Sequence, residues 1–485
     1  MIHISTSFAL LVVAIIILVC IAGSRLSGRL GVPTLFIFIM LGMLFGSDGI
    51  FKIPFGNFAL AEQVCSVALI FIMFYGGFGT RWSEAKPVAG RSILLSSVGV
   101  VLTALLTGLF CHLVLKMALM EGMLLGAVLG STDAASVFSI LRSRKLNLKY
   151  GTASMLELES GSNDPFAYMM TVILLSAMTG SVSGGSAVLL LIRQLAFGLL
   201  TGATVAWLVT WLLKRYAFYG EGFDTIFVFA AAIISYALAS QIGGNGYLSV
   251  YLTGIILGNQ ELKNQKALVG FFDAFTGMMQ MLLFFLLGLL AFPSQMPSIV
   301  LPSIAIALFL TFVARPAAVG LLLAPSKPPI GQYLVISWAG LRGAASIVFA
   351  IMATLSEGYM KYDIFHIVFC VVLFSIIFQG SLLPKVAEKC DMIDNSTDVM
   401  RTFSDYTGDM QIQFVQLPIG DNHPWKNRKI CEIEMLPGML ITVIRRGAQT
   451  RGDKNHAAGI NDVDVFDRFL IHPVERSNVV VELVR

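Results

Sequence analysis

Apolar residues in the first four-fifths of the chain come as long unbroken runs, not as the one-sided stripe of a helix that faces water. The runs fall at about 7–23, 33–46, 61–79, 92–116, 121–141, 151–179, 187–213, 223–241, 245–258, 271–292, 299–323, 331–354 and 363–383. About 20 helical residues cross the ~30 Å hydrocarbon core of a bilayer. The pattern therefore predicts an all-α polytopic membrane protein with thirteen spans, and the lipid bilayer as its first partner. After "SLLPKVAEKC" the pattern changes. From about Asp391 charges return and polar and apolar residues alternate, and "LITVIRR" is rich in β-branched residues. Turn signals stand at Pro437-Gly438 and Arg446-Gly447. The expected organisation is a transmembrane domain at 1–390, a polar linker at 391–410 and a small α+β domain at 411–485.

Composition agrees with the pattern. Charged residues make up 13% of the 485, about half the share in average soluble domains, and 56% are hydrophobic. The start, "MIHISTSFALLVVAIIILVC", lacks a positive leader and a small-residue cleavage site, so it reads as a retained first span. One alternate set of loops holds Arg25, Arg29, Arg81, Lys86, Arg91, Arg142, Arg144, Lys145, Lys149, Lys214, Arg215, Lys263, Lys266 and Lys327. The other set holds only Lys52, Lys116 and Lys361. The positive-inside rule then places the N-terminus outside and the C-terminal domain in the cytoplasm.

Two runs carry interruptions of a similar kind. The fifth contains "GSTDAASVF" (Gly130 to Phe138) and the twelfth "AGLRGAASIVF" (Ala339 to Phe349). Small residues and charges in mid-span, placed in both halves, are the pattern of inverted-repeat transporters with discontinuous helices. Unwound backbone at that depth has to be buried in protein or line a cavity.

Ionisable residues deep in the runs are few: Asp133, Glu159, Asp164, Arg315 and Arg342, with Arg193 and Asp273 nearer span ends. Each costs about 2.5–3.5 kcal/mol to insert at a bilayer centre, so each pairs or serves transport. With three acids and two bases, structural pairs Glu159–Arg342 and Asp133–Arg315 leave one acid over. In "ESGSNDP" (Glu159 to Pro165), Ser160, Asn163 and Asp164 stand at i, i+3 and i+4 and share a helix face. Pro165 has no N–H, which should free the Gly161 carbonyl. Carboxylate, amide, hydroxyl and carbonyl oxygens suit an alkali cation, and Asp164 is the candidate unpaired acid. The structural alternative is a protonated carboxyl hydrogen-bonded in the core. Ser131 and Thr132 are expected to cap the second half of the fifth span and lend a backbone carbonyl.

These motifs resemble one family, the monovalent cation:proton antiporters, which include bacterial Na⁺/H⁺ and K⁺/H⁺ antiporters and animal Na⁺/H⁺ exchangers. "ESGSNDP" resembles its ion-site segment, "STDAAS" its Thr-Asp break, and "WAGLRGAAS" its Gly-Leu-Arg-Gly segment. The resemblance covers about residues 7–385. It implies that Asp164 carries ion and proton, that Asn163 stabilises the site, and that Ser160 and the Thr132 backbone complete it. It also implies the pairs Glu159–Arg342 and Asp133–Arg315, a homodimer in a bacterial inner membrane, and a six-helix core that moves as an elevator. The tail "ICEIEMLPGMLITVIRRG" resembles the small TrkA-C type domain of potassium transport proteins. It implies a small-molecule effector and tips the substrate from Na⁺ toward K⁺. After Gly447 the sequence departs from that domain's pattern.

An uncharged Asn163 beside one acid predicts electroneutral exchange, since a monovalent cation or a proton equally neutralises the site. No cofactor, nucleic acid or enzymatic nucleophile–base set is implied. Two readings from other classes remain open at this level: a ligand-gated cation channel, against which no filter-like run appears, and a receptor without transport, which leaves Asp164 unexplained.

Overall fold

The computed structural model describes residues 6–394, apart from 31–32, 145, 182–183, 216–221, 263, 357 and 359, together with three strands between 414 and 484. The chain forms two compact units, Met1–Ser404 and Asp405–Arg485.

The first unit is helical. Its main helices are α1 (Thr6–Leu30), α2 (Thr34–Phe45), α3 (Phe58–Gly79), α4 (Ala89–Leu113), α5 (Leu119–Val128), α6 (Ala134–Ser143), α7 (Thr152–Met178) and α8 (Gly184–Arg215). They continue as α9 (Phe223–Gln241), α10 (Gly246–Gly258), α11 (Gln265–Leu290), α12 (Val300–Ser326), α13 (Ile330–Trp338), α14 (Ala344–Leu355) and α15 (Ile364–Lys389). A helix or a broken pair of helices thus occupies each of the thirteen apolar runs. Among the described residues, seven helices are long and apolar enough to cross a membrane by length and composition alone. The shortfall has physical causes. α2 and α10 are short, the fifth and twelfth runs are split into pairs, α7 carries Glu157, Glu159 and Asp164, and in α1 the apolar stretch among the described residues is the shorter Leu11–Arg25.

Local chemistry sets several of the ends. Asn57 caps α3 by accepting the Leu60 N–H at 3.0 Å, and Asn245 caps α10 by accepting that of Leu248, also at 3.0 Å. α4, α12 and α15 each contain a widened π-type turn, at Leu95–Gly99, Leu310–Ala314 and Ser375–Gly380. The latter two precede Pro316 and Pro384, whose missing N–H breaks the regular ladder and is accommodated by the wider turn.

The helices sort into two groups by what they pack against. α1–α3 and α8–α11 form one group; α4–α7 and α12–α15 form the other. α7 and α14 make the main contacts of the second group with the first, and Phe365 of α15 meets the Phe58 ring of α3 with centroids 5.2 Å apart.

The second unit contains β1 (Phe414–Ile419), β2 (Leu440–Arg445) and β3 (Val479–Val484) in one sheet of order β1-β3-β2. Both pairings are antiparallel, and Phe414 and Leu440 both register with Val484. β2 is the predicted "LITVIRR" strand. The predicted turns at 437–438 and 446–447 and any helices of an α+β domain lie outside the described residues. The predicted linker begins with residues held by the first unit. Lys149 Nζ meets Asp391 Oδ1 at 2.9 Å, and the Lys149 N–H donates to the Met392 carbonyl at 2.9 Å.

Candidate ion-binding site

The two helix breaks meet. The Asp133 N–H, in the gap between α5 and α6, donates to the Leu341 carbonyl in the gap between α13 and α14 at 2.8 Å. Gly343 allows this approach: a Cβ there would fall 2.4 Å from the Asp133 Cβ. Asp133 also caps α6, its Oδ1 accepting the Ser136 N–H at 3.3 Å and its Oδ2 the Ser136 hydroxyl at 2.5 Å. The cap expected of Ser131 and Thr132 is therefore made by the next residue, which stands three before Ser136, the spacing a capping side chain needs.

The ion pairing differs from the sequence expectation. Glu159 pairs with Arg315, Oε1 to Nη1 at 2.5 Å, with the two side chains 1% and 6% exposed. Gly340 leaves room for that arginine, since a Cβ there would come 3.1 Å from its Nε. Arg342 instead donates from Nη1 to the Ser131 carbonyl at 2.9 Å, and its backbone N–H donates to Ser375 Oγ at 3.0 Å. The reason lies in the breaks. A broken helix presents carbonyls with no intrahelical partner, and a guanidinium in the facing break satisfies one of them. The expected pairs Glu159–Arg342 and Asp133–Arg315 are thus replaced by one acid–base pair and one arginine–backbone bond.

Asp164 stands apart from this network. Ser131 Oγ donates to its Oδ1. Among the described residues no basic side chain lies within ion-pair distance of it. It is half-buried and lines a cavity of about 510 Å³. The walls come from both helix groups: Leu69, Tyr75, Tyr251, Asp273 and Thr276 from one, Ser131, Thr132, Ser160, Gly343 and Ala344 from the other. Asp133, Glu157, Asp164 and Asp273 all line it, with no lysine or arginine among the described residues of its lining. Asp273 and Gly277 are exposed at its edge, and Tyr75 donates its hydroxyl to Asp273 Oδ1 at 3.2 Å.

The structure therefore brings Asp164, Ser160 and Thr132 to one wall. The Ser160 hydroxyl donates to the Thr132 carbonyl at 2.7 Å, which fixes the unwound backbone. Asn163 sits behind that wall, 1% exposed, and donates from Nδ2 to Thr132 Oγ1. Its Oδ1 has no hydrogen-bond partner among the described residues. Such an oxygen-rich wall, with the Asp164 carboxylate and no counter-charge among the described residues, has the chemistry to take a small cation or a proton.

Sequence reading missed Ser131 as the partner of Asp164, and Glu157, Tyr75 and Asp273 as cavity residues. Glu157 lies two positions before Glu159 and so on a different helix face. That offset is the one signal that could have separated a cavity acid from a paired one.

A family model described as "Sodium/hydrogen exchanger, transmembrane" matches residues 14–389, which take in both breaks and the whole Glu159–Pro165 segment. The chain belongs to the sodium/hydrogen exchanger family. Among relatives of this chain, the K(+)/H(+) antiporter NhaP of Alkalimonas amylolytica is 36% identical over 382 residues, covering 79% of this chain and 66% of that protein. The K(+)/H(+) antiporter NhaP2 of Shewanella oneidensis is 36% identical over 383 residues, covering 78% and 66%. The chain thus spans 66% of the length of these relatives. Its fold is similar to that of the sodium proton antiporter MjNhaP1 from Methanocaldococcus jannaschii, with a TM-score of 0.69 at 23% identity, covering 79% of this chain and 99% of that one.

Proposed function

We propose that this exchanger is an electroneutral antiporter that trades a monovalent cation, K⁺ in preference to Na⁺, for H⁺. The observation that carries the reading is Asp164: a carboxylate with a hydroxyl partner, no basic counter-charge and a cavity in front of it. Asp164 binds the cation or the proton, never both. Ser131 and Ser160 supply oxygen, Thr132 holds the unwound backbone, and Asn163 supports it from behind. A monovalent cation and a proton leave the site equally neutral, so the exchange ratio is one to one. Preference for K⁺ draws on the names of the relatives at 36% identity and on the tail's resemblance.

The division into two helix groups with the cavity between them supports alternating access by an elevator movement of the second group. Contact between the groups on the far side of Asp164 speaks against a continuous channel. In this reading the protein crosses a bacterial inner membrane thirteen times as a homodimer, with the N-terminus outside. The β-sheet unit regulates it from the cytoplasm through a small-molecule effector.

The test uses purified protein in liposomes with a pH gradient and an internal pH dye. Addition of K⁺ should dissipate the gradient with wild type and not with Asp164→Asn, and K⁺ should act at lower concentration than Na⁺. No response to either cation from folded wild type would overturn the reading. A turnover that depends on voltage at fixed gradients would overturn electroneutrality alone.

A further inference from the structure

The two helix groups part at the cavity and meet along α7, where α10 is one of the helices of the first group that pack on it. α10 meets α7 through three of its residues or its cap. Asn245, wholly buried, donates from Nδ2 to the Pro165 carbonyl at 2.9 Å. The Tyr247 ring meets that of Tyr168 edge-on with centroids 5.0 Å apart, and Phe349 of α14 lies beside both. Tyr251 packs on Gly161 so closely that a Cβ there would come within 2.6 Å of its ring.

Asn245 is itself rigidly held within its own group. Its Oδ1 caps α10, and its N–H donates to the Gln194 carbonyl at 3.0 Å. The loop before it is fixed by Arg193, whose Nη2 donates to the Ile242 carbonyl at 2.9 Å, with Gly243 at φ +77° making room for the guanidinium. Its amide NH₂ reaches across to the helix that bears the ion site and bonds there one residue beyond Asp164.

We infer that Asn245 is a positioning residue: it holds α7 at the height where Asp164 faces the cavity, and each turnover breaks and remakes its bond to Pro165. The inference rests on the antiport reading above. A hydrogen bond between neutral groups is worth about fivefold in an equilibrium. That biases two states without trapping either. The bare Gly161 under Tyr251 is the matching notch, because the ring fits α7 only at this height.

The test separates the latch from the cap. Asn245→Ser keeps an oxygen that can cap α10 and is too short to reach Pro165. Gly161→Ala leaves Asn245 alone and drives the Tyr251 ring off its notch. Each is combined with Gln280→Cys, a half-buried cavity residue. Labelling by a membrane-impermeant maleimide is followed in both vesicle orientations against the same chain without that cysteine. Both variants should slow labelling from the cavity side by about fivefold, with little change in melting temperature for Asn245→Ser. Unchanged labelling in folded Asn245→Ser overturns the latch. If that variant does not fold, unchanged labelling in Gly161→Ala does so. Labelling needs no transport, so a chain that labels as expected and moves no cation keeps the latch and loses the antiport reading.

Discussion

Glu159 and Asp164 are carboxylates five residues apart on α7, and their surroundings make them different groups. Glu159 is sealed against Arg315 at 2.5 Å. Asp164 has a serine hydroxyl on one oxygen and a cavity before it. A buried acid with a fixed base gains most of its stability from that base and binds nothing else. An acid without one is left to whichever cation arrives. The same chemistry, displaced by about 140° around one helix, thus separates an anchor from the proposed exchange site.

The comparison breaks first, and most completely, at Asp164. Asp164→Asn keeps the volume and should reduce cation-driven pH dissipation to the level of empty liposomes, while the thermal midpoint in detergent stays close to that of wild type. An inactive variant that also unfolds would place Asp164 with Glu159 among the anchors. Next in size is Arg315→Ala, which strands a buried carboxylate and should cost about 3–5 kcal/mol of stability. Glu159→Gln combined with Arg315→Gln should recover a large part of that loss. Strictly additive losses in this pair would mean that the short contact contributes nothing.

Arg342→Ala comes third. It removes a charged hydrogen bond to the Ser131 carbonyl, worth about 1.5–3 kcal/mol, and its cycle with Glu159→Gln should show far less coupling than the Arg315 cycle. The smallest effect belongs to Ser131→Ala, which removes one hydrogen bond from Asp164. It should raise the half-saturating cation concentration about fivefold, corresponding to ~1 kcal/mol. In wild type and this variant alike, raising the pH should lower that concentration, because protons compete for the same carboxylate. A pH-independent affinity would mean that proton and cation do not share Asp164.

The membrane helices and the two breaks were legible because the bilayer imposes them. A long apolar run has little choice but helix, and Ser-Thr-Asp or Gly-Leu-Arg-Gly in mid-run has little choice but to interrupt it. The family was legible from three short segments in the right order. The partners of the buried charges were not. Counting acids and bases left Asp164 over only on the assumption of two pairs, neither of which forms: Glu159 and Arg315 lie far apart in sequence, and no local spacing says that Arg342 will spend its guanidinium on a carbonyl. Assigning the cap to Ser131 failed for a related reason. Three consecutive residues were each able to cap α6, and the crossing of the two breaks selected Asp133. The tail strand in "LITVIRR" was readable from β-branched residues alone, because sheet pairing draws on that local preference.

Asp133 and Leu341 share one backbone hydrogen bond where the two interrupted helices cross. Its atoms belong to the main chain, so no side-chain substitution removes it directly. Variation at the proposed site, at Ser131, Thr132 or Ser160, can therefore change what would meet the ion while the crossing that presents it stays the same. Ion preference becomes an inheritable trait separable from assembly, and two relatives can differ in what they carry without differing in how they are built.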